Sequence, residues 1–524
     1  MKQPGRTRPG ALLLIGILLA SLTEAIAGTA LVLGRNDIIG DTYATPDEFA
    51  WLDIGYTAFK MIGFLTASGL LARFAPRKVI VGATLVMGLA CTIAVFSTRL
   101  ELLVSLRIVQ GFAGGTLLVA GQMLIFRAYR RTLQPLLQAL FAIGAVVASA
   151  TLTPALQGWL VDSQSWRWIF LSVVPLALTA SGLMLLTDTP TPAKASQRPF
   201  DWLGAALSAT TLLCLTYVLS QGERWDWFEE PRIICLTLIG SAALLGFLGQ
   251  QLLTNGQGLL DFSLFRSSDF SFAFIVSFIA GAALFGSAYL IPAFALSVLG
   301  FTLTDAGLLL LPSGACFVGA LLISAYLMQA RRVAPFATVP FGILMIMIAM
   351  WMLSGSTSES GSQDMMAAIL LRGLGLGFLF LSITLIAFTQ LNSRNLAAGI
   401  GLFNTGRQLG GLLGVAGLQT LIEHGHAANA VILGTGVTPG TPALIERLTG
   451  TTALLMGKGM DTATAGRAAI DLLGRTVSGQ STVIAFDSAF MAVTLLFALA
   501  APMLVAIKIA FARHAKGSAA SMHR

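Results

Sequence analysis

Residues 101–126 read ELLVSLRIVQGFAGGTLLVAGQMLIF, an apolar run interrupted near its start by Arg107 and marked by Gly111, Gly114 and Gly115. A helix crosses the hydrocarbon of a bilayer with about 20 such residues, and small residues on one face let a neighbouring helix approach closely. Outward from this run the chain holds fourteen segments of the same kind, at 11–33, 49–72, 79–98, 101–126, 134–160, 167–187, 202–221, 232–253, 270–298, 305–329, 334–354, 365–389, 397–422 and 486–512. Of its 524 residues, 56% are hydrophobic and 11% charged, less than half the roughly 25% charge of a soluble globular chain. That composition excludes soluble enzymes, nucleic-acid binders and disordered scaffolds. The expected fold class is an all-α polytopic membrane protein.

Lys and Arg collect on the cytoplasmic side of membrane proteins, which gives the net charge of +8 a meaning other than an acidic partner. Lys2, Arg6 and Arg8 precede the first segment; Arg73, Arg77 and Lys78, then Arg127, Arg130 and Arg131, then Arg331, Arg332 and Arg394, and finally Lys508, Arg513, Lys516 and Arg524 fall on the same side. The alternate loops are acidic or mixed, with Asp37, Asp41, Asp47 and Glu48, and with Glu223, Asp226, Glu229 and Glu230. Both termini are therefore expected in the cytoplasm. All eight tryptophans fall at or just beyond segment ends, where their amphipathic rings suit the interface. The first run extends to Leu33, too long for the apolar core of a cleavable signal peptide.

Chemistry-bearing motifs are few. Cys91, Cys214, Cys235 and Cys316 lie in apolar runs and read as small core residues, with no disulfide framework. No histidine lies in an apolar run; His424 and His426 make at most a weak loop pair, so no metal site is expected. No G-x-x-x-x-G-K-[ST] run is present, so no nucleotide cofactor is expected and an ion gradient is the expected energy source. Clustered acid, base or nucleophile residues that would argue for an enzyme are missing.

The polar stretch TDTPTPAKASQRPF at 188–201 follows six segments, two more follow it, and six remain. The expected organisation is a cytoplasmic tail (1–10), a six-helix bundle (11–187), linkers with two extra spans (188–269, spans 202–221 and 232–253), a second six-helix bundle (270–512) and a cytoplasmic tail (513–524). The second bundle contains an extracytoplasmic loop at 424–485, with helix-like pieces around 441–474. That loop is either a plain surface or a docking site for a periplasmic adaptor protein. A weak echo between Leu106-Arg107 with its glycines and Leu371-Arg372-Gly373-Leu374-Gly375-Leu376-Gly377 suggests duplication, as in transporters built from repeated halves around a midplane site.

Five motifs carry a family resemblance: Arg107 with Gln110-Gly111, Trp166-Arg167-Trp168-Ile169-Phe170, Asp201-Trp202-Leu203-Gly204, Leu260-Asp261-Phe262-Ser263-Leu264-Phe265-Arg266, and Asn404-Thr405-Gly406-Arg407-Gln408-Leu409-Gly410-Gly411. With them the chain resembles, over nearly its whole length, the major facilitator superfamily and its fourteen-span drug:proton antiporters of the EmrB/QacA type. The resemblance implies the major facilitator fold, two six-helix bundles plus two added helices, in the bacterial inner membrane. It also implies proton-coupled export of small amphiphilic compounds by alternating access. Two departures stand out. The loop after the second segment carries Arg73 where the family has an acidic residue, and the antiporter signature of the fifth is reduced to Thr153-Pro154-Ala155-Leu156-Gln157-Gly158, implying a looser or more polar contact there.

An ionisable residue at the bilayer centre costs at least ~2.5 kcal/mol and marks function by default. Glu24, Lys60, Arg107, Arg372 and Arg407 qualify, with Asp53 nearer the outer surface. Asp53, Tyr56 and Lys60 recur at i, i+3 and i+7 and share one helix face, which lines a substrate path or forms a structural ion pair with Glu24. By resemblance, Glu24 is the proton carrier and Arg107 the arginine that governs it, unless Arg107 is an outer-end residue that snorkels; Arg372 and Arg407 either contact substrate on its path or pack. Gly111, Gly114, Pro154, Gly158, Gly410 and Gly411 are expected bending or close-approach points. Phe141, Phe274, Phe278, Phe285 and Phe294 line a drug pocket or simply pack. The excess of buried basic groups admits a second substrate class, anionic aromatic acids or siderophore-like metabolites, and an importer of the same fold is the remaining rival.

Overall fold

The structure is a computed structural model that describes residues 10–31, 34–187, 200–254, 258–392, 395–438 and 440–522, with side chains described as far as Met503. The basic tail before residue 10, Arg394, nearly all of the linker at 188–199 and the basic side chains from Lys508 onward lie outside the described residues.

Every regular element among the described residues is helical. The first half contains α1 (Ala11–Thr29), a short α2 (Arg35–Thr42), α3 (Pro46–Arg73), α4 (Pro76–Val95) and α5 (Leu100–Ala128). It continues through α6 (Gln134–Ala142), a π-helical stretch (Ile143–Leu152), α7 (Thr153–Ser163) and α8 (Arg167–Leu185). A hairpin of α9 (Trp202–Gln221) and α10 (Pro231–Leu253) follows. The second half contains α11 (Ser268–Ser297), α12 (Leu303–Leu308), α13 (Leu311–Ala330), α14 (Val339–Leu353), α15 (Ser362–Phe388), α16 (Leu396–Thr435), α17 (Pro442–Gly457) and α18 (Thr462–Met522).

Local sequence explains many of the boundaries. Thr45 and Glu48 close a reciprocal capping box ahead of Pro46 at the start of α3. Proline also opens α4, α10 and α17, where its missing N–H costs no helical bond. In the fifth span the helix widens just before Pro154, and the Thr153 N–H bonds to the Ala148 carbonyl, one residue further back than in an α-helix. A proline ring crowds the carbonyl four residues before it, and π-type widening is one way to take up such a ring.

Thirteen of these helices or helix runs are long and apolar enough to cross a membrane. α16 is not among them, because Asn404, Arg407, Gln408 and its many glycines dilute its hydropathy. It nevertheless lies within the bundle, packed on α11, α3 and α18. In the expected loop at 424–485, the helix-like pieces around 441–474 are α17 and the start of α18; more of it is helical than expected, since α16 runs on to Thr435 and α18 is continuous from Thr462. Loss of hydropathy was read as the end of a helix, but polar residues without proline do not end one.

Glycine faces set the helix spacing. A Cβ at Gly111 or Gly115 of α5 would collide with the Tyr56 or Lys60 carbonyl of α3, and one at Gly63 would come within 2.6 Å of the Phe112 carbonyl. The second half repeats this register between α15 and α13, where Gly373 faces the Ser313 carbonyl and Gly377 the Phe317 carbonyl at 2.7 Å. In this register Gly111 corresponds to Gly373, so Arg107 and Arg372, aligned by the sequence echo, are not equivalent. α3 meets α16 across the halves, with Gly401 against the Phe64 carbonyl, and the fifth span meets α12 and α13, with Gly307 3.4 Å from the Pro154 carbonyl.

The α9–α10 hairpin touches both halves. Trp51 and Tyr217 rings lie 5.1 Å apart and Arg224 pairs with Asp47 at 2.8 Å, while the Trp227 indole donates to Thr420 at 3.1 Å. At its other end the Asp201 carboxylate accepts from the Gly204 and Leu259 N–H groups and from Gln250 and Gln251, at 2.8–3.0 Å. Burial raises the Asp201 carboxyl, but those four donors outweigh it and hold its pKa below the ordinary value.

Three smaller expectations need correction. Cys235 is exposed rather than in the core, because α10 packs mainly on α9. Trp166 is buried and donates to Asp41 at 2.9 Å instead of facing the interface. His424 and His426 both lie on α16, two positions apart, where side chains do not face each other.

Two outcomes are expected in thermal unfolding of detergent-solubilised protein. Gly111→Ala destabilises by about 1–3 kcal/mol through overpacking, whereas Gly82→Ala, with nothing within 4 Å, is near neutral. Asp201→Ala costs about 1 kcal/mol as a lost helix cap. Because the folded pKa of Asp201 is depressed, its contribution is full above the unfolded value of about 3.9 and is lost as pH falls through the folded one. The difference between Asp201→Ala and wild type therefore shrinks below about pH 4.

Candidate functional site

α1, α3 and α5 converge on Glu24, which is 1% exposed. Lys60 Nζ lies 2.5 Å from Glu24 Oε1, and Tyr56 Oη donates to the same oxygen at 3.0 Å. Small residues make the space: a Cβ at Gly114 would stand 2.8 Å from Glu24 Cγ, and one at Gly28 3.1 Å from Tyr56 Oη. The glycine seam between α3 and α5 thus fixes the backbone at Tyr56 and Lys60 whose side chains hold the carboxylate.

Arg107 is also 1% exposed. Its guanidinium lies 4.0 Å from the Tyr56 ring centroid, Nη1 donates to the Ala27 carbonyl at 2.6 Å and to Gln110 Oε1 at 3.1 Å, and Nε points to the Leu52 carbonyl at 3.4 Å. It therefore ties α1 and α3 to α5 through carbonyls and a ring. Asp53, on the same face of α3, is exposed and within electrostatic range of Arg107, Arg35 and Lys60. Of the expected stripe, Tyr56 and Lys60 reach Glu24, and among the described residues Asp53 makes no ion pair with Lys60.

Arg407 approaches from the second half. It is half-buried, its Nη2 donates to Asn404 Oδ1 at 2.6 Å, its guanidinium lies 4.7 Å from the Phe380 ring centroid, and it is within electrostatic range of Glu24. Arg372 is placed elsewhere. It is 1% exposed and donates to Ser287 at 2.7 Å, to Ser313 at 3.1 Å and to the Leu284 carbonyl at 3.5 Å, all within the second bundle. This arginine crosslinks α11, α13 and α15 and is not brought to Glu24.

The remaining candidates sort by what they touch. Gly410 receives the Phe278 backbone carbonyl of α11, the Phe285 ring lies on Gly411 and the Phe274 ring on Gly406, and Phe294 packs on Phe486 and Phe490, so the rings of Phe274, Phe285 and Phe294 pack the second bundle. Phe141 is buried beside Gly121. Pro154 faces Gly307, and Gly158 is buried in α7. The reduced signature makes the polar contact that its residues imply: Thr153 bonds Thr29 at 2.8 Å, and Gln157 donates to the Ile26 carbonyl at 3.0 Å and to Thr29 at 2.9 Å. Arg73 lies over the Phe200 ring at 5.8 Å. Among the described residues no group of three His, Cys, Asp or Glu could hold a metal.

Sequence reading weighed only ionisable residues inside the membrane and so missed three amides. Asn404 donates to Gln122 at 3.4 Å across the halves, and Gln122 to Gln138 at 3.1 Å. The available signal was an uncharged amide in an apolar run, which in lipid needs a partner on another helix.

Two repeated helical bundles with a buried ionic centre between membrane spans define a membrane transporter. The chain belongs to the Major Facilitator Superfamily, whose model matches residues 13–415. It is similar to the multidrug export protein EmrB of Escherichia coli (25% identical, over 82% of this chain and 83% of that protein). It is also similar to the colistin resistance protein EmrB of Acinetobacter baumannii (24%, over 91% of each) and to the fatty acid resistance protein FarB of Neisseria gonorrhoeae (24%, over 93% of each).

Removing one partner of a buried ion pair leaves an uncompensated charge and costs about 3–5 kcal/mol. Lys60→Met is expected to destabilise by that amount, and the double variant Glu24→Gln/Lys60→Met to recover most of it. Denaturant or thermal unfolding of the single and double variants measures the coupling.

Proposed function

We propose that this protein exports small amphiphilic drugs from the bacterial cytoplasm in exchange for protons. The relatives' names (multidrug export, colistin resistance, fatty acid resistance) share an amphiphile as the common chemistry, which favours broad export over import or a siderophore-like substrate. The basic loops orient both termini toward the cytoplasm of the inner membrane.

The observation that carries the coupling is the single Glu24 oxygen shared by Lys60 and Tyr56. Ionised, Glu24 is held by both groups from α3; protonated, it releases the lysine charge, which must then find water or another partner. α1 and α3 are thereby loosened or tightened by one proton. Arg107 bridges the same two helices through the Ala27 and Leu52 carbonyls, so it keeps them in register while the pair opens. Glu24 loads its proton from the acidic outer side and releases it inside, and the two halves rock around the site.

At the outer end, α17 and the extended ends of α16 and α18 form a helical platform with exposed Val431, Ile432 and Leu454. It holds a groove of about 390 Å³ lined by Leu448, Ala453, Met456 and Ile470. A periplasmic adaptor protein is the proposed occupant.

In proteoliposomes with an imposed pH gradient, wild-type protein is expected to drive uptake of a lipophilic cation dye that collapses with a protonophore. Glu24→Gln should retain measurable dye binding and lose the pH-driven component. Full pH-driven transport by Glu24→Gln would overturn the assignment of the proton carrier.

A further inference from the structure

Four side chains form a directional line across the interface between the halves. Arg407 Nη2 donates to Asn404 Oδ1 at 2.6 Å, Asn404 Nδ2 to Gln122 Oε1 at 3.4 Å, and Gln122 Nε2 to Gln138 Oε1 at 3.1 Å. Each amide accepts through its oxygen and donates through its nitrogen, so the donor direction runs unbroken from α16 through α5 to α6. The line ends at Gln138 Nε2, which has no hydrogen-bond partner among the described residues although Gln138 is only 1% exposed. A buried amide N–H without a partner is costly in any medium that excludes water.

The step across the halves is the weakest link. At 3.4 Å it is long for a hydrogen bond, and Asn404 Nδ2 also reaches the Ile400 carbonyl of its own helix at 3.0 Å. When the halves part, Asn404 falls back on Ile400 at little cost, while Gln122 Oε1 loses its donor. Gln138 Nε2 is then still without an acceptor, while Arg407 keeps its bond to Asn404 on the same helix. Apolar surface is already there, in the Phe380 ring beneath Arg407 and in Phe141, one turn beyond Gln138.

We propose that Gln138, Gln122 and Asn404 with Arg407 form an acceptor-reading site at the interface, which takes the carboxylate, carbonyl or sulfonyl oxygen of an aromatic amphiphile in place of the bond between the halves. This rests on the export function proposed above and adds to it a rule of selection: a substrate with an oxygen acceptor takes the Gln138 Nε2 donor and can draw Asn404 Nδ2 from Gln122, and one without it leaves Gln138 Nε2 unpaired. A site that must hydrogen-bond its ligand discriminates strongly against an analogue lacking the group.

Equilibrium binding to purified full-length protein tests this with two probes, naphthoate, which carries an oxygen acceptor, and tetraphenylphosphonium, which carries none. In Gln138→Met and Gln122→Met the ratio of the two dissociation constants is expected to shift about tenfold against naphthoate. Gln138→Asn, which keeps the amide but withdraws it by one methylene, is expected to shift less, and it carries the test if the methionine variants fail to fold. Parallel losses for both probes, no change for either, or wild-type protein that binds tetraphenylphosphonium but not naphthoate would each overturn the proposal. If the ratio shifts as expected but wild-type protein moves neither probe under a pH gradient, the site stands and the export function falls.

Discussion

A carboxylate inside a membrane is either neutral or held by donors, and the way Glu24 is held constrains everything around it. Its two partners come from one helix, α3, one turn apart, and reach one oxygen. That geometry requires α3 to run close beside α1 and at a fixed height. The height is set by α5, whose Gly111 and Gly115 admit the Tyr56 and Lys60 carbonyls. The glycines therefore act on the ionic centre from the back: they position the backbone of the residues whose side chains do the pairing. A Cβ there would collide with the backbone of the residues that hold Glu24.

The same constraint separates two kinds of buried arginine. Arg107 lies against the Tyr56 ring and grips carbonyls on α1 and α3, so it senses any displacement of the helices that carry Glu24 and Lys60. Arg372 grips two serines and a carbonyl within its own bundle. Serine hydroxyls supply acceptors but no charge, so the Arg372 guanidinium stays put whichever way a proton moves. One half carries the buried ion pair and the other a fixed crosslink, on a repeated backbone register.

Much of this was legible in the sequence, and the limits have physical causes. The apolar runs and the basic loops gave the span count and the two-bundle plan because lipid imposes both length and composition. Glu24, Lys60 and Tyr56 were legible as chemistry because each is expensive where it stands. Their meeting was not, since spacing fixes a face within one helix but no angle between two. The partners of Arg372 were not legible for the converse reason: its serines come from α11 and α13, and nothing local marks them. The helical ends of α16 and α18 were read as loop because hydropathy reports the solvent around a helix and not its hydrogen bonds. The amides at Gln122, Gln138 and Asn404 escaped because an uncharged side chain leaves no trace in a charge census.

The repeated glycine register clarifies what duplication left in place. α3 on α5 and α13 on α15 use glycines four residues apart against carbonyls four residues apart, so the two halves share a backbone contact that side-chain identity hardly enters. Divergence could then alter side chains freely on the faces pointing away from the seam. On α3 those faces acquired Tyr56 and Lys60; on α13 the residue whose carbonyl matches that of Tyr56 is Ser313, which satisfies Arg372, and the one matching Lys60 is Phe317, a buried ring in contact with Phe380. Phe380 in turn lies beneath Arg407, so the aromatic position of one half supports the cation that reaches toward Glu24 in the other. The asymmetry of the two halves is thus written on a symmetric contact: one carries the Glu24–Lys60 pair and the other the Arg372 crosslink.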